Sequence, residues 1–225
     1  RRGSPARDGS GRPADHRLMP EAGWFGRYLP KGRLPVQGGL MIPLYDDTCY
    51  CLIIDHNRFQ DNALAPVFQH LEDPDICRLF DDTILASVAQ EGPWCLFFDA
   101  DCPLITDGLL EEWWADDPYW AGGSALVIAE PGADQAQLLK WCRSRALALS
   151  PAGSVSVFRF YSPAILNLIE SDLPEADRDD FMTGMGEIIW SAGALNYTGM
   201  KEALTAINLG SQYQLSESFV KGLMG

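Results

Sequence analysis

The chain has 225 residues and a mass of 24.8 kDa, with 47% hydrophobic and 21% charged residues, as in globular proteins that bury a core. It contains no apolar run of about 18 residues, which excludes a membrane-spanning helix. Its N-terminus lacks the apolar segment of a secretory signal, which predicts a cytoplasmic protein. The net charge of −14 argues against nucleic acid and anionic membranes as partners, because both repel a negative surface.

The charge is divided unevenly along the chain. Residues 1–33 hold eight Lys or Arg and three Asp or Glu, a net charge of +5, which leaves −19 for the remainder. Gly, Pro and Arg dominate residues 1–42 without periodicity, so we predict a flexible basic N-terminal arm there. The acidic remainder would attract a basic segment of another protein, although the same charge also serves solubility.

Over residues 50–170, continuous apolar runs alternate with segments in which apolar residues recur at the spacing of a helix. Three runs predict buried strands, at 50–55, 94–99 and 125–129, and the alternation at 155–161 predicts a fourth. Helices are predicted between them, at 62–71, 83–90, 104–114 and 135–149. Strands that alternate with helices favour an α/β fold with a mixed, largely parallel sheet and flanking helices.

After the fourth strand the pattern is helical only. The predicted helices lie at 163–170, 175–182, 199–208 and 215–223. We therefore predict an α/β lobe over residues 43–170 and a smaller helical lobe over residues 171–225.

Six cysteines, at positions 49, 51, 77, 95, 102 and 142, form no pair with the spacing of a zinc knuckle. The three histidines do not cluster with them. Several of the cysteines lie in strand-like or helical segments that are predicted to be core. The sequence therefore predicts reduced thiols, mostly buried, and no metal site or cofactor.

The stretch from Ser154 to Ile169 joins a strand to an apolar helix. Side chains alternate with period two in a strand, which puts Arg159 and Tyr161 on one face with two valines. Ser162 before Pro163 is typical of a helix N-cap followed by proline at the first helical position. An arginine among apolar side chains needs a partner. The candidate carboxylates are Asp55, Asp99 and Glu187.

Two carboxylates, Asp99 and Asp101, follow the strand predicted at 94–99. Such a pair can hold a divalent metal and a nucleotide diphosphate, as in metal-dependent nucleotidyl- and glycosyl-transferases. Gly23–Arg27 loosely resembles the nucleotide loop of those enzymes, but no hydrophobic strand precedes it. The alternative interpretation is that both aspartates lie in a turn at the strand end.

Four aromatic residues, Trp113, Trp114, Tyr119 and Trp120, lie in a short acidic stretch. Large rings with a charged rim are typical of a protein-binding surface. The alternative interpretation is that most of these rings pack against the sheet.

Three segments resemble the adaptor, or effector-chaperone, family of bacterial type VI secretion systems. Leu79–Thr83 together with Gly92–Trp94 is similar to the family pattern Leu-Phe-x-Gly-Thr…Gly-Pro-Trp, and Tyr50–Asp55 is similar to its opening strand. Val157–Leu166 resembles its signature Phe-Arg-Phe-Tyr-Asp-Pro-Arg-Val-Leu. The resemblance covers about residues 48–192. Three positions depart from the pattern: Ser162 stands for an aspartate, Ala164 for an arginine and Asp82 for a glycine.

The resemblance implies a role without enzymatic activity or cofactor. Members of the family hold a toxic effector protein, usually near its N-terminal segment, and help to load it onto the VgrG spike protein. For this chain the resemblance and the aromatic pattern point to a set of signature or partner-binding residues. These are Arg159, Phe160, Tyr161, Pro163, Trp94, Trp113, Trp114 and Trp120.

Overall fold

The structure is a computed structural model that describes residues 42–191, 193–196 and 213–224. In this part of the chain, strands and α-helices alternate irregularly, with short 3-10 helices at His56–Arg58 and Ala86–Glu91. The strands are β1 (Tyr50–Ile54), β2 (Asp75–Arg78), β3 (Trp94–Phe98), β4 (Ser124–Ile128), β5 (Leu147–Leu149), β6 (Val155–Val157), β7 (Glu187–Trp190), β8 (Gly193–Asn196) and β9 (Tyr213–Gln214). The helices are α1 (Ala65–His70), α2 (Pro103–Thr106), α3 (Leu109–Asp116), α4 (Pro118–Gly123), α5 (Gln135–Ala146), α6 (Pro163–Asp172), α7 (Glu175–Met182) and α8 (Glu217–Met224).

Six strands form the main sheet in the order β2-β3-β1-β4-β7-β8, and each neighbouring pair is antiparallel. The prediction of a largely parallel sheet is therefore wrong. β1 pairs with both β3 and β4, so β3 and β4 run in the same direction with β1 between them. The helices from α2 to α4 connect β3 to β4 past this inserted strand. A helical connection thus joins two strands of equal direction, but they are not hydrogen-bonded neighbours.

The prediction of a C-terminal part made only of helices is also wrong. β7 joins the main sheet beside β4, where Ile188 lies opposite Val127. β9 joins a smaller sheet of order β6-β5-β9, in which β5 is antiparallel to β6 and parallel to β9. Three predicted helices are present as α6, α7 and α8, whereas the helix predicted at 199–208 lies outside the described residues. The domain limits proposed from the sequence stay a prediction.

Helical layers cover both faces of the main sheet. In β1, Cys51 and Ile53 point to one layer, and Tyr50, Leu52 and Ile54 point to the other; none of the five is exposed. The first layer contains α5 to α8, and the second contains α1 to α4. Because burial of one large apolar side chain contributes about 1.5–3 kcal/mol, this doubly covered sheet is the main source of stability.

Two predicted elements are shorter than expected. The helix predicted at 104–114 is divided into α2 and α3 by Gly108, whose φ of 75° is left-handed. The strand predicted at 155–161 ends at Val157, after which the alternation is lost because Phe158, Phe160 and Tyr161 are all buried. Tight turns follow, in which the backbone N–H of Phe160 donates to the carbonyl of Phe158 at 2.8 Å.

Asp82 has a left-handed backbone conformation at a position where the family pattern has glycine. Its φ is 56°, a conformation that costs most non-glycine residues about 1–2 kcal/mol. Glycine adopts this conformation freely, which fits the glycine at this position of the pattern. The Asp82 side chain is 89% exposed and lies 3.8 Å from Arg143, so this ion pair adds little stability.

We predict that Asp82→Gly stabilises the protein and Asp82→Ala destabilises it. Glycine removes the backbone strain but loses about 0.5–1 kcal/mol through the entropy of the unfolded chain, which leaves a net gain of about 0.5 kcal/mol. Thermal unfolding should therefore give melting temperatures in the order glycine, aspartate, alanine. An alanine variant as stable as the glycine variant would show that the conformation of residue 82 is not strained.

Candidate functional site

The signature segment after β6 belongs to the core. Phe160 and Tyr161 are 0% and 2% exposed, and Pro163 is also buried. The ring of Phe160 lies edge-on to Trp141, with 5.5 Å between the ring centres. Ser162 occupies the predicted N-cap position of α6, but its side chain makes no capping hydrogen bond. These residues are therefore used in packing the core, and a part for them in partner binding stays a prediction.

Arg159 of this segment contacts Asp55, the residue that follows β1. Its Nη2 atom donates to Oδ2 of Asp55 at 2.9 Å, and Asp55 is one of the three partners expected from the sequence. Hydrogen bonding to Tyr161 and the negative charge of Asp55 raise the pKa of Arg159, against the opposing effect of burial. Glu187, another expected partner, instead accepts a hydrogen bond from Tyr45.

Asp55 depends on this pair for its charge to be tolerated in the interior. Its side chain is 4% exposed, and Arg58 is the next cation, with Nε at 3.7 Å from Oδ2. Among the described residues, no hydrogen-bond donor reaches Asp55 Oδ1. The ion pair thus holds the signature segment against β1, which is a structural task.

The tryptophans predicted to form a binding surface lie mostly inside. Trp114 and Trp120 are 6% and 3% exposed, and Nε1 of Trp114 donates to the hydroxyl of Ser124 at 2.8 Å. Trp113 is half-buried, 4.6 Å from Trp120 between ring centres. Trp94 is half-buried beneath Arg78, whose guanidinium carbon lies 3.3 Å from the ring centre. Most of this aromatic surface is therefore already used in packing.

Asp99 and Asp101 line an open cleft of about 740 Å³. Asp46, Asp47 and Asp134 share this cleft, and its lining among the described residues includes no Lys or Arg. In the part of the chain that the structure describes, no group of three or more His, Cys, Asp or Glu side chains is arranged to hold a metal ion. The cleft can attract positive charge, but the described residues provide no metal-binding set for transferase chemistry.

Arg145 of α5 is a buried cation that the sequence analysis missed. It is 7% exposed, and its Nε donates to the carbonyl of Phe181 at 2.8 Å. Its guanidinium carbon lies 4.5 Å from the ring centre of Tyr213, and burial lowers its pKa to about 10. Arg145 therefore ties α5 to α7 and β9. The sequence did contain a signal for this burial. Arg145 lies three residues after Cys142, on the same side of the helix, and directly before the apolar Ala146.

Tyr119 is the exposed member of the aromatic stretch, at 38%, and the other exposed large apolar side chains of the described residues lie elsewhere. Ile84 is 67% exposed and Val88 is 45% exposed, both between β2 and β3. Phe80 and Ala89 of the same connection are buried and anchor it to the core. Two valines of the edge strand β6, Val155 and Val157, are exposed to a similar extent. A further exposed large apolar side chain, Phe68, lies on α1.

Residues 49–180, which are 132 of the 225, match the protein family described as "Domain of unknown function (DUF4123)". The chain therefore belongs to this family, which is known as an effector chaperone, or adaptor, family of type VI secretion systems. The resemblance seen in the sequence is thereby confirmed. Neither a curated protein nor a solved structure matches the chain. Among the described residues, no helix is long and apolar enough to cross a membrane.

We predict that Arg159→Ala lowers both the melting temperature and effector binding. The change leaves a buried carboxylate without its closest partner, which costs about 3–5 kcal/mol in a fully buried pair. Because the Arg159 side chain is 44% exposed, water can replace part of the interaction, and we expect a loss of about 1–2 kcal/mol. Thermal unfolding measures this loss of stability.

A double-mutant cycle with Asp55→Asn provides the control. If the pair is structural, the second change should add less than its own separate effect, since the buried charge has already been removed. Loss of effector binding with an unchanged melting temperature would instead assign Arg159 to the contact with the partner.

Proposed function

We propose that this chain is a type VI secretion adaptor that binds one effector protein near its N-terminal segment and helps to load it onto the VgrG spike protein. The family match over residues 49–180 carries this proposal. It spans the signature segment, the Asp55–Arg159 pair and the helices from α1 to α6. The chain acts by holding a polypeptide, with no reaction of its own.

The effector contacts the connection between β2 and β3. Ile84 and Val88 provide exposed apolar area, and Asp81, Asp82 and Glu91 stand beside them in the chain. Apolar side chains with an acidic rim suit an effector segment that is both apolar and basic, because the rim steers the approach and disfavours acidic partners.

The exposed valines of β6 offer a weaker alternative. They have comparable exposure, but no Asp or Glu lies within five residues of them in the chain. The acidic cleft at the end of β3 adds long-range attraction for a basic effector, since several carboxylates of one sign raise the local concentration of positive charge. An adaptor must release its cargo, so a small contact of modest affinity is expected.

Co-purification tests the proposal. The full chain carrying an affinity tag should retain the effector encoded beside it, and also the N-terminal segment of that effector alone. A ternary complex with VgrG should form on addition of the spike protein. Retention of VgrG but no effector, or of neither protein, would contradict the proposal.

We predict that the double change Ile84→Ser and Val88→Ser weakens effector binding by at least about tenfold without lowering the melting temperature. Loss of two anchoring apolar side chains at a contact costs about 1 kcal/mol or more each, whereas exposed positions contribute little to folding. Titration calorimetry with the effector's N-terminal segment measures the change.

The matched control is Val155→Ser with Val157→Ser, which removes a similar exposed apolar area from β6. This variant should bind the effector as the unchanged chain does. The proposal would be contradicted if the Ile84 and Val88 variant bound the effector as tightly as the unchanged chain while the control bound it more weakly. The contact would then lie on β6.

A further inference from the structure

Four cysteine side chains meet on one face of the main sheet. Cys77 of β2 lies directly opposite Cys95 of β3 in the antiparallel register. Cys51 of β1 lies diagonal to Cys95, because Cys95 is paired with Ile53, two residues further on. Cys142 of α5 covers Cys51 from the helical layer. All six cysteines of the chain are free thiols.

The directly opposed pair has the geometry that a disulfide requires. Opposite residues of antiparallel strands have Cα atoms about 4.5–5.5 Å apart, and their side chains point to the same face. Disulfides span Cα distances of about 4.4–6.8 Å. Cys77 and Cys95 can therefore be linked without a change in strand register.

The two thiols differ in their access to solvent. β2 is the edge strand of the main sheet, and Cys77 is only half-buried there. Cys95 lies one strand further in and is 0% exposed. A small dissolved oxidant thus reaches Cys77 first, and Cys95 is placed to react with whatever forms on it.

Hydrogen bonds among the thiols support the role of Cys95 as the second thiol to react. Cys51 and Cys77 both donate toward Cys95, which lowers the pKa of Cys95 despite its burial. The same hydrogen bond and the loss of hydration raise the pKa of Cys77, so its reaction with peroxide depends on its exposure and is expected to be slow at neutral pH. Of these thiols, Cys95 is therefore the one most able to supply a thiolate once Cys77 has been oxidised.

We propose that Cys77 and Cys95 form a site of oxidative modification, at which a peroxide converts the two thiols into a cross-strand disulfide. The sulfur of Cys77 attacks one oxygen of hydrogen peroxide and its proton passes to the leaving hydroxide, so the O–O bond breaks to give a sulfenic acid and one water. The sulfur of Cys95 then attacks the sulfenic sulfur, and the S–O bond breaks with release of a second water. Two thiols and one peroxide thus yield one disulfide and two waters.

The disulfide would close the connection that carries Ile84 and Val88. This connection joins β2 to β3, and its ends would then be fixed by a covalent bond in addition to the sheet hydrogen bonds. Closure of a loop of this size restricts the unfolded chain, so the oxidised protein should melt about 5–10 °C higher than the reduced protein.

The test treats the reduced full-length chain with hydrogen peroxide, blocks remaining thiols with an alkylating reagent and maps disulfides by mass spectrometry without reduction. Trypsin cleaves after Arg78, and a protease specific for acidic residues separates Cys95 from Cys102 at Asp99 and Asp101. The expected product links the peptides of Cys77 and Cys95 and is lost in Cys77→Ser. Cys102→Ser is the matched control and should still form it, since Cys102 lies on the other face of the sheet.

Two results would overturn the proposal. One is oxidation that ends at a sulfinic acid on Cys77 with Cys95 still alkylated as a free thiol. The other is a disulfide that joins Cys51 to Cys95 or to Cys142 in the unchanged chain. Neither result needs a variant to fold, and neither depends on effector binding, so the proposed function is judged separately.

Discussion

Burial of the main sheet on both faces is the constraint on which the rest of the structure depends. β1 runs through its centre without exposure, and helical layers cover it on each side. The side chains that make the family recognisable pack within or at the border of these layers: Phe160 is buried and Trp94 is half-buried. Among the described residues, the surfaces outside these layers include the exposed connection between β2 and β3, edge strand β6 and the acidic cleft.

The ion pair of Asp55 and Arg159 joins the end of β1 to the signature segment. Asp55 follows the central strand directly, and its backbone N–H donates to the carbonyl of Gly123, at the end of α4. Arg159 comes from the turn that leads from the small sheet into α6. Separating this pair would leave the buried Asp55 carboxylate without its closest cation, which disfavours arrangements in which the two residues lie apart. The pair thereby fixes where the signature segment lies on the sheet.

The sequence predicted the elements of this fold better than their arrangement. Trp94–Phe98 is a strand as its apolar run indicated, and α7 has the predicted bounds. Strand direction could not be predicted, because a run buried on both faces is apolar in either orientation. Exposure of Trp114 and Trp120 could not be judged either, since rings in a short acidic helix suit a core and a surface equally. Ile84 was missed because a single exposed residue has no periodicity.

Hydrogen–deuterium exchange on the complex with the effector's N-terminal segment tests most directly whether the signature residues form the scaffold and the exposed connection forms the contact. Exchange should slow at residues 79–92 upon binding, while residues 158–163, already buried in the free chain, should change little. Slower exchange at 155–163 with residues 79–92 unchanged would contradict this account.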